Sequence, residues 1–385
     1  MNTFKFYSPK CAFFGYGCLS EVGDEILSNG YKKALIVTDK SLIKLGMIEK
    51  VTKMLEKAKI EFSVFDGVKP NPTVANVNAG LDQLKKENCD FCISVGGGSA
   101  HDCAKAICIL ATNGGEIMDY IGVNKSKVCP LPLVAVNTTA GTASEFTQAF
   151  VIVDEKTSTK VGSRDKNVVA AIAVDDHELM MGLPKGLTAG TGMDALTHAI
   201  EAYTSKRGFE MTSAIGMAAI REVFRFLPGA VLNPNETNRG GMAVAQYLAG
   251  MAFGNSSCGM VHSMSHQLSA IYDLPHGVSN AILLPTVVEF NCKDEVAKAK
   301  YAELAEAIFP YECENKKIDD KAKIFINEIR KLSIKIGIPA DLTSMGVKKE
   351  DVDLLAQKAM KDGSLAGNPI MPTEEQVKEL YLKLL

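Results

Sequence analysis

Apolar positions in the first half of the chain fall in short runs separated by longer stretches of mixed character. Lys33–Val37 (KALIV) is such a run, and Thr38 and Asp39 end it. Residues 41–59 then space their apolar side chains by three and four, the helical period. A second run, 61–68 (EFSVFDGV), reads as a strand. Pro70, Asn71 and Pro72 break the chain, and Thr73 can cap a helix reaching about residue 87. Residues 91–95 and 131–136 are further strands. Gly96, Gly97 and Gly98 close the first of these, with a helix expected from about Asp102. Strands alternating with helices of this length predict βαβ units and a mainly parallel sheet with right-handed crossovers.

From Leu183 onward the period is helical almost throughout, with helices expected at 188–203, 211–226, 241–253 and 296–308. The change of period sets a domain boundary near Gly182, Leu183 and Pro184. The expectation is an α/β Rossmann-like, dinucleotide-binding domain over 1–182 and an all-α metal-binding and substrate domain over 183–385. The active site is expected in the cleft where they join, a preferred place for a pocket.

Composition narrows the function classes. With 45 acidic and 42 basic residues the formal charge is −3, so no basic excess marks a nucleic-acid footprint. No stretch of 18 apolar residues occurs, so no membrane span is expected. Residues 1–17 lack the basic start and apolar run of a secretory leader. The ten cysteines are scattered, and the default for them is reduced thiols in a cytoplasmic protein. The single CxxC, Cys89 to Cys92, opens a buried strand and lacks the second pair that a zinc or redox site would want.

Histidine carries the strongest chemical signal. Four of the six fall in two segments. Asp194 and His198 are four apart on one expected helix and so share a face. His262 and His266 are again four apart, and His276 follows in a Pro-His-Gly turn. A carboxylate on an Ala-rich apolar helix needs a partner or a cation. Asp194, His198, His262 and His276 together offer one oxygen and three nitrogens to a divalent ion. Four protein ligands would close a tetrahedral zinc site of the structural kind, whereas catalysis needs an open position. That leans toward Fe2+, with Zn2+, which expands to five ligands, or another divalent metal left open.

A phosphate-binding reading competes with a plain turn at Gly96, Gly97, Gly98, Ser99 and Ala100, where a strand runs into a helix start. The segment VNTTAGTASE also follows a strand and is rich in hydroxyls and small residues. Two such loops on one sheet edge would line the place where open α/β sheets take ligands. Asp39, at the end of its strand, can bind both ribose hydroxyls of an adenosine or simply cap the next helix.

These segments resemble the iron-containing (group III) alcohol dehydrogenase family, near its lactaldehyde reductase and 1,3-propanediol dehydrogenase branch. The carriers are GGGSAHD at 96–102, TTAGTASE at 138–145, GMDALTHAIEAYTS at 192–205 and the three-histidine stretch 259–291. The likeness runs from the FGYGCLSEVG segment to about Asn291 and is weaker beyond. It implies that Asp194, His198, His262 and His276 hold a divalent metal, usually iron. It implies NAD contacts from Asp39, Asn71, Gly96, Gly97, Gly98, Ser99, Ala100, Asp102, Thr138, Thr139, Ala140, Gly141 and Thr142, with Lys160 beside the cofactor. It also implies a homo-oligomer, a dimer or larger. Ala100 and Ala143 stand where proline or serine, and glycine, are common. His101 is no family signature and is given no role.

The activity so implied is hydride transfer between NAD(H) and a small primary alcohol, diol or aldehyde, with the ion polarising the substrate oxygen. Three neutral imidazoles, one carboxylate and a divalent ion leave a formal charge of +1. His266, one turn past His262, is a candidate proton relay, and Phe253 a candidate substrate contact. A glycerol-type polyol dehydrogenase is the near alternative. A dehydroquinate synthase-like lyase is the farther one, since its anionic substrate wants basic residues that 192–203 and 251–274 lack. A purely structural, assembly role is the rival outside enzymes.

Overall fold

A computed structural model describes residues 3–157 and 159–385. The chain divides into two compact units, one running from Lys5 to Gly182 and the other from Leu183 to Leu385. The second unit also takes in Phe4, whose ring stacks on Phe209 at 4.5 Å.

The first unit contains strands β1 (Cys11–Phe14), β2 (Lys33–Val37), β3 (Glu61–Phe65), β4 (Phe91–Gly96), β5 (Gly122–Val123), β6 (Leu133–Asn137), β7 (Ala149–Asp154), β8 (Thr159–Arg164) and β9 (Ile172–Asp175). Its helices are α1 (Val22–Ser28), α2 (Lys40–Lys44), α3 (Met47–Lys57), α4 (Val74–Lys86) and α5 (Gly98–Asn113). Six strands form a wholly parallel sheet in the order β1-β9-β6-β4-β2-β3. Successive strand residues face opposite ways. Leu35 and Val37 therefore enter the core beneath α4 and α5, while Ala34 and Ile36 enter the one beneath α1 and α3. Burial on both faces explains why KALIV is apolar without alternation.

The expected parallel sheet is found, and the differences have local causes. The helix expected over 41–59 is broken at Gly46, whose φ of 71° is left-handed. The strand expected to reach 68 stops at Phe65. The helix after the glycines opens at Gly98, four residues before Asp102. A second sheet, in the order β5-β8-β7, was not expected. Its β7 strand carries an apolar run over 149–153, a strand signal like that of β2, whereas its partner β8 is polar and partly exposed and carries none.

Strand order fixes where a ligand belongs. From β2 the chain steps to β3 on one side, and then β4, β6 and β9 proceed on the other. The order reverses between β2 and β4, and open sheets of this kind bind ligands outside the strand ends at such a switch point. Asp39 follows β2 there, and Gly97 follows β4.

The second unit is helical: α6 (Lys185–Thr204), α7 (Glu210–Leu232), α8 (Glu236–Gly254), α9 (Met260–Tyr272), α10 (His276–Asn291), α11 (Glu295–Ile308), α12 (Pro310–Cys313), α13 (Ile318–Lys335), α14 (Val352–Ala359) and α15 (Glu374–Leu382). α6 is buried on nearly all sides, which accounts for its Ala- and Gly-rich sequence. It packs on α7, α8 and α10. At its crossing with α10 a Cβ on Gly277 would lie 2.1 Å from the Gly190 carbonyl oxygen. Only glycine permits that approach, and it brings His276 to the face of α6. Among the described residues no helix is long and apolar enough to cross a membrane.

Candidate metal centre and nucleotide cavity

Asp194, His198 and Glu201 recur at i, i+4 and i+7 and so form one stripe of α6. His262 projects from the first turn of α9, and His276 is the first residue of α10, behind Asp273 in the left-handed region at φ 52°. The Asp194 Oδ1 atom lies 3.5 Å from His262 Nε2, 3.6 Å from His276 Nε2 and 3.9 Å from His198 Nδ1. Donor atoms of Asp194, His262 and His276 all fall within 4.8 Å of one another. Asp194, His198 and His262 are buried, and His276 is about a third exposed.

The donors suit a cation. The lone pairs of Asp194, His262 and His276 converge on a single electropositive group, the side-chain amide nitrogen of Asn280. It donates to Asp194 Oδ1 at 2.7 Å and sits 3.4 and 3.2 Å from the two imidazole Nε2 atoms. A divalent ion is the other species such convergence accommodates. Burial by itself raises the Asp194 carboxyl. The charges of His198 and His276, and the hydrogen bond and charge of His262, outweigh burial and hold it well below the usual carboxylate range. The carboxylate is therefore anionic at neutral pH.

Three neighbours of the ligands were not anticipated. Glu201 accepts from the Gly259 and Val261 backbone N–H groups at 2.8 and 2.7 Å and pairs with His262 Nδ1 at 2.6 Å. It thereby turns His262 Nε2 toward Asp194, and its spacing three residues past His198 was the available signal. Asn280 lies one turn beyond His276. Asp362 pairs with His266 Nδ1 at 2.8 Å, while the His266 ring stacks on that of His276 at 5.3 Å. Phe253 stacks on His198 at 4.0 Å and braces that ring. Replacing Glu201 by Gln is expected to weaken Fe2+ binding roughly 10- to 100-fold with the fold intact. Chelator-competition titration reads this directly.

In the first unit, a cavity of about 590 Å3 opens beside Asp39, Ser41, Asp66, Lys69 and residues 97–100. Asp39 Oδ1 accepts from the N–H groups of Ser41 and Leu42 and from the Ser41 hydroxyl, capping α2. Its Oδ2 has no hydrogen-bond partner among the described residues, so capping leaves one oxygen for a ligand. Gly96 has φ 152°, and a Cβ there would meet that of Ala100 at 2.7 Å. Thr139 and Thr142 press on Gly97 and Gly98, where added Cβ atoms would come within 2.9 and 3.2 Å. The second loop thus packs on the first. Ala140 and Gly141 are buried in it, and the Thr138 N–H donates to the Gly96 carbonyl at 3.0 Å.

Asn71, Gly96, Asp102, Lys160 and the loop 138–142 do not line this cavity. Asn71 is left-handed at φ 56°. Both Asp102 oxygens serve the fold, accepting from the Ser144 hydroxyl at 2.8 Å and the Val151 N–H at 3.0 Å. Lys160 pairs with Val153 across the hairpin and lies close enough to Asp102 to pull its carboxyl down against burial. His101 is fully buried with its Nδ1 on Ser94 Oγ at 2.7 Å, and burial drives the ring down to about 3, a neutral core residue. Ala143 stands at φ 49°, which is why glycine suits this position. Ala143→Gly is expected to raise stability by about 1 kcal/mol in thermal unfolding.

A parallel-sheet unit with a ligand cavity at its switch point and a helical unit with an Asp-His-His-His cluster together define a metal- and nucleotide-dependent dehydrogenase. The iron-containing alcohol dehydrogenase model matches residues 9–177 and that family's C-terminal model residues 188–385, and the chain belongs to this family. It is 48% identical to alcohol dehydrogenase 4 of Schizosaccharomyces pombe over 382 residues, covering 99% of this chain and 89% of that one. It is 44% identical to 1,3-propanediol dehydrogenase of Citrobacter freundii, covering 99% and 98%. A crystal structure of a 1,3-propanediol oxidoreductase superimposes with a TM-score of 0.97 at 42% identity, over all of both chains. The protein is accordingly an NAD- and iron-dependent oxidoreductase of alcohols and aldehydes.

Proposed function

We propose that the reaction runs on short primary alcohols, diols or their aldehydes, with Asp194, His198, His262 and His276 as the metal ligands. The observation that carries this reading is the convergence of Asp194, His262 and His276 on one point, with His198 beside it. When bound, the ion supplies Lewis acidity at a substrate oxygen and NAD supplies the hydride acceptor. Asp194 sets the charge of the centre, and Glu201 fixes the direction of His262. His266, held by Asp362, passes the alcohol proton toward solvent. Phe253 keeps the His198 ring in place and bounds the substrate space.

In the first unit the helix N-terminus at Gly98 offers N–H groups to a diphosphate, and Asp39 Oδ2 takes the adenosine ribose. Asn71, Gly96, Gly97, Ser99, Ala100 and the 138–142 loop complete the NAD environment, with Asp102 and Lys160 behind it. Asp39→Gly is expected to lower kcat/KM for NAD at least about tenfold while improving NADP, since a charge-assisted bond and a repulsive charge go together. Wild type that used NADP as well as NAD would end the ribose assignment.

The segments bearing the ligands contain no Lys or Arg over 192–203 and 251–274, which supports a neutral substrate over the anionic one of a lyase. A polyol is the alternative within the same chemistry. Ten free thiols suit a reducing cytoplasm, and a homo-oligomer fits the family. The test is anaerobically iron-loaded protein, NADH and a panel of propanal, 3-hydroxypropanal, lactaldehyde and dihydroxyacetone. Fastest loss of NADH absorbance with the aldehydes supports the reading, preference for dihydroxyacetone favours the polyol, and no NADH loss rejects both.

A further inference from the structure

The sulfur of Cys258 belongs to the same constellation. Its Sγ lies within 4.8 Å of a nitrogen of His198 and of a nitrogen of His262, which themselves satisfy that limit. The first donor group, Asp194, His262 and His276, contains no sulfur and does not include His198. His262 is common to both groups, and His198, whose ring stacks on that of His262 at 4.3 Å, belongs to the one with the thiol.

The backbone around Cys258 is pinned on two sides. The next residue, Gly259, donates its N–H to Glu201, the carboxylate that also orients His262. On the other side Gly367 packs so closely that a Cβ there would lie 2.0 Å from the Cys258 carbonyl oxygen. The thiol is thus built into the site. Burial pushes it up, and His262 beside it pulls it back down.

We propose that His198, Cys258 and His262 form a second, sulfur-containing donor set that takes thiophilic divalent ions such as Zn2+ and Cd2+, in competition with iron at the oxygen–nitrogen set. The inference rests on the reading of Asp194, His198, His262 and His276 as the metal centre. Two imidazoles with a thiolate suit a borderline or soft ion, whereas a carboxylate with imidazoles suits Fe2+. Binding converts Cys–SH to a metal-bound thiolate and releases one proton to solvent, with no change of oxidation state. Because both sets draw on His262, and His198 serves as a ligand in each, one ion excludes the other. Cys258 therefore makes iron loading sensitive to zinc.

The test uses full-length apoprotein. Cd2+ titration should give a thiolate-to-metal charge-transfer band in wild type and in Cys129→Ser, the exposed-thiol control, and none in Cys258→Ser. The same Cys258→Ser change should weaken Zn2+ binding at least about tenfold while leaving the Fe2+ dissociation constant within a factor of about two. Zinc X-ray absorption on loaded wild type should show one sulfur neighbour at about 2.3 Å, a readout that needs no variant to fold. A shell of nitrogen and oxygen alone, or a Cd2+ band that survives in Cys258→Ser, overturns the inference. Failure of Fe2+ to bind wild type would instead strike the metal-centre reading, so the two failures are separable.

Discussion

Replacing Asp194 by alanine is expected to remove bound iron and to lower kcat/KM at least about 10³-fold, an effect of about 4 kcal/mol on the transition state. In the proposed ligand set Asp194 is the only anion, and its Oδ1 lies within 3.9 Å of three imidazole nitrogens, so it ties α6 to α9 and α10 through one atom. Without it three neutral imidazoles must hold a dication, and the formal charge rises from +1 to +2. The fold should survive, because alanine fits an Ala-rich buried helix with the best intrinsic propensity. Fe2+ is expected to raise the unfolding temperature of wild type by binding the native state in preference to the unfolded one, and this rise should vanish in Asp194→Ala. Anaerobic metal analysis and calorimetry with and without Fe2+ check both halves. Stoichiometric iron in the variant would contradict the ligand assignment.

The second large effect lies away from the metal. Lys105, on α5, is buried and donates to the Ser144, Thr147 and Ala149 carbonyls at 2.6, 2.9 and 2.8 Å, and to the Ser144 and Thr147 hydroxyls at 3.2 Å. With Asp102 it bolts the segment after the second nucleotide loop to the helix that starts in the first. Lys105→Met leaves those carbonyls unsatisfied and should cost about 3 kcal/mol, or roughly 6–12 °C in Tm. It should also raise KM for NADH, since Thr139 and Thr142 lose their anchor.

The same lysine gives a pH signature. Burial pushes its ammonium down to about 8 against the pull of Asp102 and Glu145, whereas the unfolded chain titrates near 10.5. Between those values the unfolded state binds more protons, so this site adds stability as pH rises through the window. The advantage of wild type over Lys105→Met should therefore widen from pH 8 to 10.5. A flat difference in denaturant unfolding over that range would show that the ammonium stays charged in the folded state.

Periodicity along the chain was enough to read the alternating unit, the all-helical unit and the Asp194–His198 and His262–His266 pairs, because each rests on neighbours three or four residues apart or on alternation by two. The unexpected β7–β8 hairpin was only half legible, since β7 carries the apolar run 149–153 but the polar, partly exposed β8 offers no such signal. The order β3-β2-β4-β6-β9-β1 was not legible either. Only that order sets Asp39 beside the glycine loop at one cavity, although the two lie nearly sixty residues apart. At the metal centre the residue types were legible, but their supports were not. Glu201 acts only where α9 brings its first N–H groups to α6, and Asn280 and Cys258 matter through what folds against them. Lys105 carried no signal in the sequence, because its five oxygen partners lie about forty residues on. Local sequence thus settled which face of each element is apolar or chemically armed. Which faces meet was decided by close packing over long separations, as where Gly277 lets α10 touch Gly190, and no short-range pattern records such a meeting.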